Sequence, residues 1–317
     1  MQWSIVIPTY NYGRFIERCL ASIVDQPGDD YEIVVVDDGS TDDTRAVVEA
    51  FVRYRQLPTG RLRYLCQHNQ GPAAARNHGI ADSRGDFVWF LDSDDRLAAG
   101  ALEQMRQTVR QHPRGELFFG GYRSMAEDGC GSDKLPGKVA VCRTENFRRF
   151  LRKELRSLTT GAVVVRKSSL GDIRFPEGIH INEDVAFFGH LVANCKVVPV
   201  ARILVEKIRH PASLRGNLGR IEETGLRSVD ALFDAARLTS AQMKLRSRYR
   251  ADRCLRLFRA HYLHGNYALA RSYYGQMLKT APCYLFKAGY LLRFLRCFGK
   301  TEGGASDPPD AAETHDV

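Results

Sequence analysis

Residues 32–42 read Glu32-Ile33-Val34-Val35-Val36-Asp37-Asp38-Gly39-Ser40-Thr41-Asp42. An unbroken apolar run closed by acids, glycine and serine is the pattern of a strand buried on both faces that ends in a turn. The pattern repeats on either side. Upstream, Ser4–Pro8 reads as another buried strand, followed by one apolar helix face at Phe15, Ile16, Cys19, Leu20 and Ile23. Downstream, a helix is expected over Thr41–Tyr54, a strand over Leu62–Cys66, a helix over Gly71–Asp82 and a strand over Phe87–Leu91. Strands alternating with helices imply an α/β fold, a mostly parallel Rossmann-like sheet with helices on both faces.

Residues 115–215 are less regular. Short strands are expected near Leu117–Tyr122, Ala162–Arg166 and Val197–Glu206, with a helix after Asn182, as a mixed extension of the sheet. From about Asn217 to Phe298 the apolar spacing becomes helical, as at Leu255, Phe258, Tyr262 and Ala268, and Pro282 interrupts it. The segment beginning Gly265–Arg271 and ending near Pro282 resembles a single helical-hairpin repeat, and one copy does not establish a repeat array. The reading gives a main α/β domain over 1–216, a basic helical region over 217–300 and a tail over 301–317 whose Gly, Asp, Pro and Ala content suits disorder.

Across 317 residues, 44% are hydrophobic and 26% charged, which is ordinary globular composition. The net charge of +9 is local: residues 1–200 hold 26 basic and 26 acidic side chains, and residues 201–300 hold 20 and 6. The start carries no basic segment ahead of a long apolar run, so no export signal is read. No stretch reaches the roughly 18 apolar residues of a membrane span, since Lys287, Arg293 and Arg296 break the most apolar one. A cytoplasmic chain is expected. The eight cysteines include no CxxC pair, which excludes a zinc knuckle or a dithiol redox motif.

In doubly wound sheets ligands sit beyond the carboxyl ends of the strands. Here those ends read Pro8-Thr9-Tyr10-Asn11, Asp37-Asp38-Gly39-Ser40-Thr41-Asp42 and Asp92-Ser93-Asp94-Asp95. Gathered carboxylates repel one another unless a hard cation bridges them to phosphate oxygens. Strand termination and helix capping by Asp37, Asp38 and Asp42 is the alternative, and for Asp42 the two stand level.

With Ser4-Ile5-Val6-Ile7-Pro8-Thr9-Tyr10-Asn11, Val35–Asp42, Asn69-Gln70-Gly71-Pro72-Ala73-Ala74-Ala75-Arg76-Asn77-His78-Gly79 and Phe90-Leu91-Asp92-Ser93-Asp94-Asp95 in this order, the first 110 or so residues resemble the family 2 glycosyltransferases. That resemblance implies a GT-A fold in residues 1–216 and an inverting, nucleotide-sugar-dependent transferase, with a UDP-sugar as the first choice of donor. By the same resemblance Pro8, Thr9 and Tyr10 would line the nucleobase pocket, Asp38 would bond the base edge and Arg76 would help hold the donor; a salt bridge that stabilises the strand-end carboxylates is the alternative for Arg76. Asp92 would contact the ribose and Asp94 would ligate Mn²⁺ or Mg²⁺ on the diphosphate; Asp95 would contact the donor or hold the turn. Glu183-Asp184 resembles the family's acidic pair at a helix start, with Asp184 as general base and Glu183 orienting the acceptor. First-turn acids are also favourable at any helix N-terminus. His210 stands where relatives carry a group reaching the metal or diphosphate. Val185 replaces the aromatic residue that often follows the pair, which leaves the acceptor type open.

Competing classes are tested by residues. An oxidoreductase would carry GxGxxG at the first strand-to-helix turn, where Pro8-Thr9-Tyr10-Asn11-Tyr12-Gly13 stands instead. A nucleotidyltransferase would advertise a basic glycine-rich loop near the start, and none is written. An inactive glycan- or nucleotide-binding relative would have no need of intact Asp38, Asp92, Asp94 and Asp184. Arg246, Arg248, Arg250, Arg253, Arg256 and Arg259 suit phosphates, yet no base-reading module accompanies them, so no nucleic acid is expected. Basic helices with Leu255, Leu257, Phe258 and Tyr290–Leu295 fit a peripheral anionic membrane surface, or a packed appendage with an Arg-rich exterior. The acceptor expected by analogy is a glycan or lipid-linked hydroxyl in surface polysaccharide or glycoconjugate synthesis.

Overall fold

The computed structural model describes residues 1–126, 131–179, 183–208, 224–286 and 288–299. Two compact units emerge, Met1–Ser213 and Leu214–Val317.

The first unit begins with the expected alternation: β1 (Trp3–Thr9), α1 (Gly13–Val24), β2 (Tyr31–Asp37), α2 (Thr44–Tyr54), β3 (Leu62–Cys66), α3 (Pro72–Asp82) and β4 (Phe87–Phe90). Every residue of β1, β2 and β4 is buried, as unbroken apolar runs require when both sheet faces are covered. Four strands run parallel in the order β3-β2-β1-β4, with Ile5 opposite both Ile33 and Trp89. Strand order reverses between β1 and β4, the position where such sheets open a crevice. Helix α3 lies close to β1 because Ala73, Ala74, Ala75 and Gly79 are small: a Cβ on Gly79 would sit 2.2 Å from Val6 Cγ1.

Several element boundaries differ from expectation by one to three residues. Helix α2 starts at Thr44, not Thr41. Asp42 stays outside the helix, accepting from the Thr44 N–H at 3.0 Å and from the Gly13 N–H at 3.1 Å. It therefore ties the starts of α1 and α2 together, which is the capping chemistry in a doubled form. Burial pushes its carboxyl up, but those bonds and the Thr44 hydroxyl outweigh it, and the net direction is down.

The remainder of the sheet is mixed. After β5 (Arg96–Leu97) and α4 (Ala101–Gln111) come β6 (Leu117–Met125), β7 (Gly131–Lys134), α5 (Arg143–Leu151), β8 (Val163–Arg166), α6 (Glu183–Asn194) and β9 (Val197–Ile208). The order continues β4-β8-β6-β9-β5, with β7 added on β6. β8 runs antiparallel to both β4 and β6, whereas β9 runs parallel to β6. β5 returns antiparallel to the end of β9, pairing Arg96 with Glu206.

The second unit holds α7 (Arg227–Leu232), α8 (Ser240–Met243), α9 (Arg246–Leu263), α10 (Tyr267–Thr280) and α11 (Ala288–Arg296). α9 and α10 form the helical hairpin, turning at Gly265, whose φ of 76° suits glycine. Cys254, Phe258, Tyr262, Tyr267, Tyr274 and Met277 make its core. The α9 arginines are not all solvated. Arg253 is only 8% exposed, and burial lowers its pKa. Among the described residues no helix is long and apolar enough to cross a membrane.

Candidate active site

The ends of β1 and β2 are locked by short polar loops. Asn11 adopts the left-handed region at φ 56°; its side-chain oxygen accepts the Thr41 N–H at 2.8 Å, and its own N–H donates to Ser40 Oγ at 2.9 Å. Asp38 is buried, and its N–H donates to the Thr9 carbonyl at 2.9 Å. Its carboxylate accepts from Gln67 Nε2 at 2.8 Å and from the backbone N–H groups of Gln70 and Gly71 at 2.9 and 2.7 Å. The side chain thus fixes the loop that opens α3, where Gly71 has a φ of 91°. Pro8 and Thr9 are buried beside it, Tyr10 stands exposed, and Thr9 Oγ1 is a buried hydroxyl without a partner.

Arg76, on α3, joins the end of β4 to the start of α6. Its Nη2 meets Asp92 Oδ1 and its Nη1 meets Glu183 Oε1, each at 2.9 Å. Phe175 supports this bridge. Asn77 clamps the Phe175 N–H and carbonyl, both at 2.9 Å; the Phe175 ring stacks on Phe187 of α6 at 3.8 Å and lies 5.3 Å from the Arg76 guanidinium. The second Asp92 oxygen accepts from the Thr160 hydroxyl at 2.7 Å. Burial alone would raise the Asp92 carboxyl, but Arg76, with Lys207 and Thr160, holds it down to about 2. Glu183 and Asp184 go the other way: burial raises both, against the pull of Arg76.

Lys207 is a site residue that sequence reasoning missed. It is the next-to-last residue of β9, with its Nζ 3.2 Å from Thr159 Oγ1 and 3.7 Å from Asp95 Oδ2. The Ile208 N–H also donates to Asp95, at 3.2 Å. Asp95 therefore staples β9 to the acid turn. Burial lifts its carboxyl to about 7 despite Lys207, with Asp92 and Asp94 adding to the rise. Arg18 of α1 anchors the same turn by donating to the Asp94 carbonyl oxygen at 3.0 Å. Arg76, Asp92, Asp94, Asp95, Glu183 and Asp184 interact with one another in this region, Asp38 is tied to it through the loop that opens α3, and His210 lies outside the described residues.

The donor chemistry suits a hard divalent cation in one specific way. Asp92, Asp94 and Asp95 share one short turn, on which Asp94 is half-buried. Among the described residues no three His, Cys, Asp or Glu side chains gather into a ready cage. The turn offers an oxygen or two, and a cation there would complete its shell with phosphate oxygens, as small divalent ions commonly do.

The family model "Glycosyl transferase family 2" matches residues 4–174, over half of the chain. The chain belongs to that family. The matched stretch of this family 2 chain contains Asp38, Arg76, Asp92, Asp94 and Asp95 and stops short of Glu183 and Asp184. Among its relatives, the GalNAc(5)-diNAcBac-PP-undecaprenol beta-1,3-glucosyltransferase of Campylobacter jejuni is 33% identical over 183 residues, covering 57% of this chain and 56% of that enzyme. The chain spans about half the length of the curated relatives it matches. Among solved structures, S. aureus TarS 1-349 in complex with UDP-GlcNAc superposes with a TM-score of 0.67 at 20% identity, covering 94% of this chain and 89% of that one. The mannosyltransferase PcManGT of Pyrobaculum calidifontis, in complex with GDP-Man and Mn²⁺, gives 0.55 at 18% identity, covering 94% and 84%. These likenesses carry the fold, and the GT-A arrangement expected of the family 2 chain is the one observed.

Proposed function

We propose that the chain transfers a sugar from a nucleoside diphosphate sugar, UDP-linked in the first instance, to a hydroxyl of a glycan or lipid-linked acceptor at the cytoplasmic side of the membrane. The observation that carries this reading is the Arg76 bridge, which sets the acid turn after β4 against the Glu183-Asp184 pair that opens α6. Donor-side and acceptor-side groups then share one crevice. The UDP-GlcNAc held by TarS supports a uridine donor, and the undecaprenol-linked substrate in the Campylobacter enzyme's name supports a lipid-linked acceptor.

Pro8, Thr9 and Tyr10 line the nucleobase side. Asp38 shapes it through the Gln67–Gly71 loop, and Asp92 takes the ribose. Asp95 acts through the turn it holds. The acceptor oxygen attacks the anomeric carbon as the bond from that carbon to the diphosphate oxygen breaks, which inverts the configuration. Asp184 accepts the hydroxyl proton and Glu183, fixed by Arg76, orients the acceptor. Mn²⁺ or Mg²⁺ held by Asp94, with His210 as a further ligand, would offset charge on the departing diphosphate. The Mn²⁺ in the PcManGT complex supports that assignment.

The test is turnover of UDP-, GDP- and dTDP-sugars with Mn²⁺ or Mg²⁺, with and without EDTA, by the wild type, Asp94→Ala and Asp184→Ala. Metal-dependent nucleotide release lost in Asp94→Ala, and transfer lost with donor binding kept in Asp184→Ala, are expected. Metal-independent turnover would remove the role of Asp94, and unimpaired transfer by Asp184→Ala would remove the base.

A further inference from the structure

Between Asp252 and Glu302 the sequence contains no acidic residue and nine Lys or Arg. Helix α11 lies in this stretch. Its inner side is fastened to the second unit: Phe294 stacks on Tyr274 at 4.2 Å, Tyr290 packs against the core, and Arg271 donates to the Cys297 carbonyl at 2.7 Å. Its outer side is apolar where a surface helix normally carries charge. Leu292 and Leu295, one turn apart, are 58% and 56% exposed, with Leu285 before them at 39% and Phe298 after them at 65%. Arg296 is exposed on the same helix.

We propose that α11 and its flanking turns form a docking face for an anionic lipid leaflet. This deepens the reading of a lipid-linked acceptor and rests on it. Charge decides between occupants. A second copy of this chain would set Arg293 and Arg296 of α11 against their own counterparts, with no acid on the helix to pair them, and like-charge repulsion opposes that pairing. An anionic leaflet accepts both features at once: leucine and phenylalanine enter the acyl boundary, while arginines stay at phosphate level with their aliphatic stems along the helix. The attraction of clustered basic residues to such a surface falls within a Debye length, so binding should weaken with salt.

The full chain and Leu292→Asp/Leu295→Asp are compared by sedimentation with phosphatidylcholine vesicles, with and without phosphatidylglycerol. Solution hydrolysis of the donor and size-exclusion elution are measured on the same samples. Both substitutions fall at exposed positions, and circular dichroism checks the fold. Expected is binding of the wild type to phosphatidylglycerol vesicles alone, weakened by salt, about tenfold or more weaker in the variant, with donor hydrolysis equal in both. Equal binding by the two proteins, or no wild-type binding while hydrolysis is intact, overturns the docking face. A wild-type dimer that the variant dissociates overturns it in favour of a second copy. Vesicle binding lost in the variant, with no donor turnover by either protein, supports the face and counts against the transferase reading instead.

Discussion

The Lys207 ammonium lies 3.7 Å from Asp95 Oδ2, and both side chains are nearly buried, at 12% and 6% exposure. A buried ion pair is weak evidence of net stability, but removing one partner strands the other. Lys207→Met should therefore lower the unfolding free energy, but by less than the roughly 3–5 kcal/mol of a stranded buried charge, because the Asp95 carboxyl, already lifted to about 7, takes up a proton once the lysine is gone. Lys207→Met/Asp95→Asn should recover most of that loss, because neither charge then remains. Urea unfolding of the wild type, both singles and the double closes the cycle. A double variant no more stable than Lys207→Met would show that the pair is not the coupled unit.

The same lysine bears on the pH dependence of transfer. Asp184 faces Arg76 from α3, Lys207 from β9, Asp92 from the acid turn and its neighbour Glu183. Burial raises its carboxyl while the two cations oppose the rise. A base must be ionised, so the acid limb of kcat/KM should lie above the ordinary carboxylate range of about 4. Removing a cation removes a force that holds the pKa down, so Lys207→Met should move that limb to higher pH. Asp184→Asn should lower transfer by about 10²–10⁴-fold and abolish the limb. A limb that Lys207→Met leaves in place would separate Lys207 from the base.

The parallel half of the sheet was legible because β1, β2 and β4 are buried on both faces and hence apolar through Ile5–Ile7, Ile33–Val36 and Phe87–Phe90. The acids at their ends were legible because an apolar run stops there. Lys207, Thr159 and Thr160 were not. They reach the site through antiparallel β8 and returning β9, and a single lysine at the end of a strand leaves no periodic trace. β7, with the sequence Gly-Ser-Asp-Lys and all four residues exposed, has no apolar alternation to detect. Helix α5 buries only Asn146 and Phe147, too little for an apolar face to stand out. The start of α2 was misplaced for a local reason, since Asp42 spends its carboxylate on two helix starts from outside both.

Asp38 offers a test of whether a carboxylate is needed where only N–H groups approach. Three donors converge on it, from Gln67, Gln70 and Gly71. In Asp38→Asn one acceptor oxygen becomes an NH₂ group facing another donor. A buried donor left unsatisfied costs about 1–3 kcal/mol. The loop leading into α3 should loosen, with the Kd for UDP rising about tenfold, the factor that corresponds to about 1.4 kcal/mol. Calorimetric titration of UDP with the metal present reads this directly. An unchanged Kd together with an unchanged melting temperature would show that the loop holds without the charge.

Gly79 sets how closely α3 can approach β1. It is an ordinary helical residue with no left-handed φ, so helix propensity alone would make alanine better by about 1 kcal/mol. Packing opposes this. The added methyl would fall 2.2 Å from Val6 Cγ1 and 3.3 Å from Val6 Cβ, on a fully buried central strand with no room to retreat. Overpacking of such a contact typically costs about 1–3 kcal/mol. Gly79→Ala should thus be destabilising overall, and it should displace the helix that carries Arg76. Val6→Ala/Gly79→Ala makes space for the new methyl and should regain part of the loss. Thermal unfolding of the three variants decides the point: a Gly79→Ala protein more stable than the wild type would mean that α3 is free to shift away from β1.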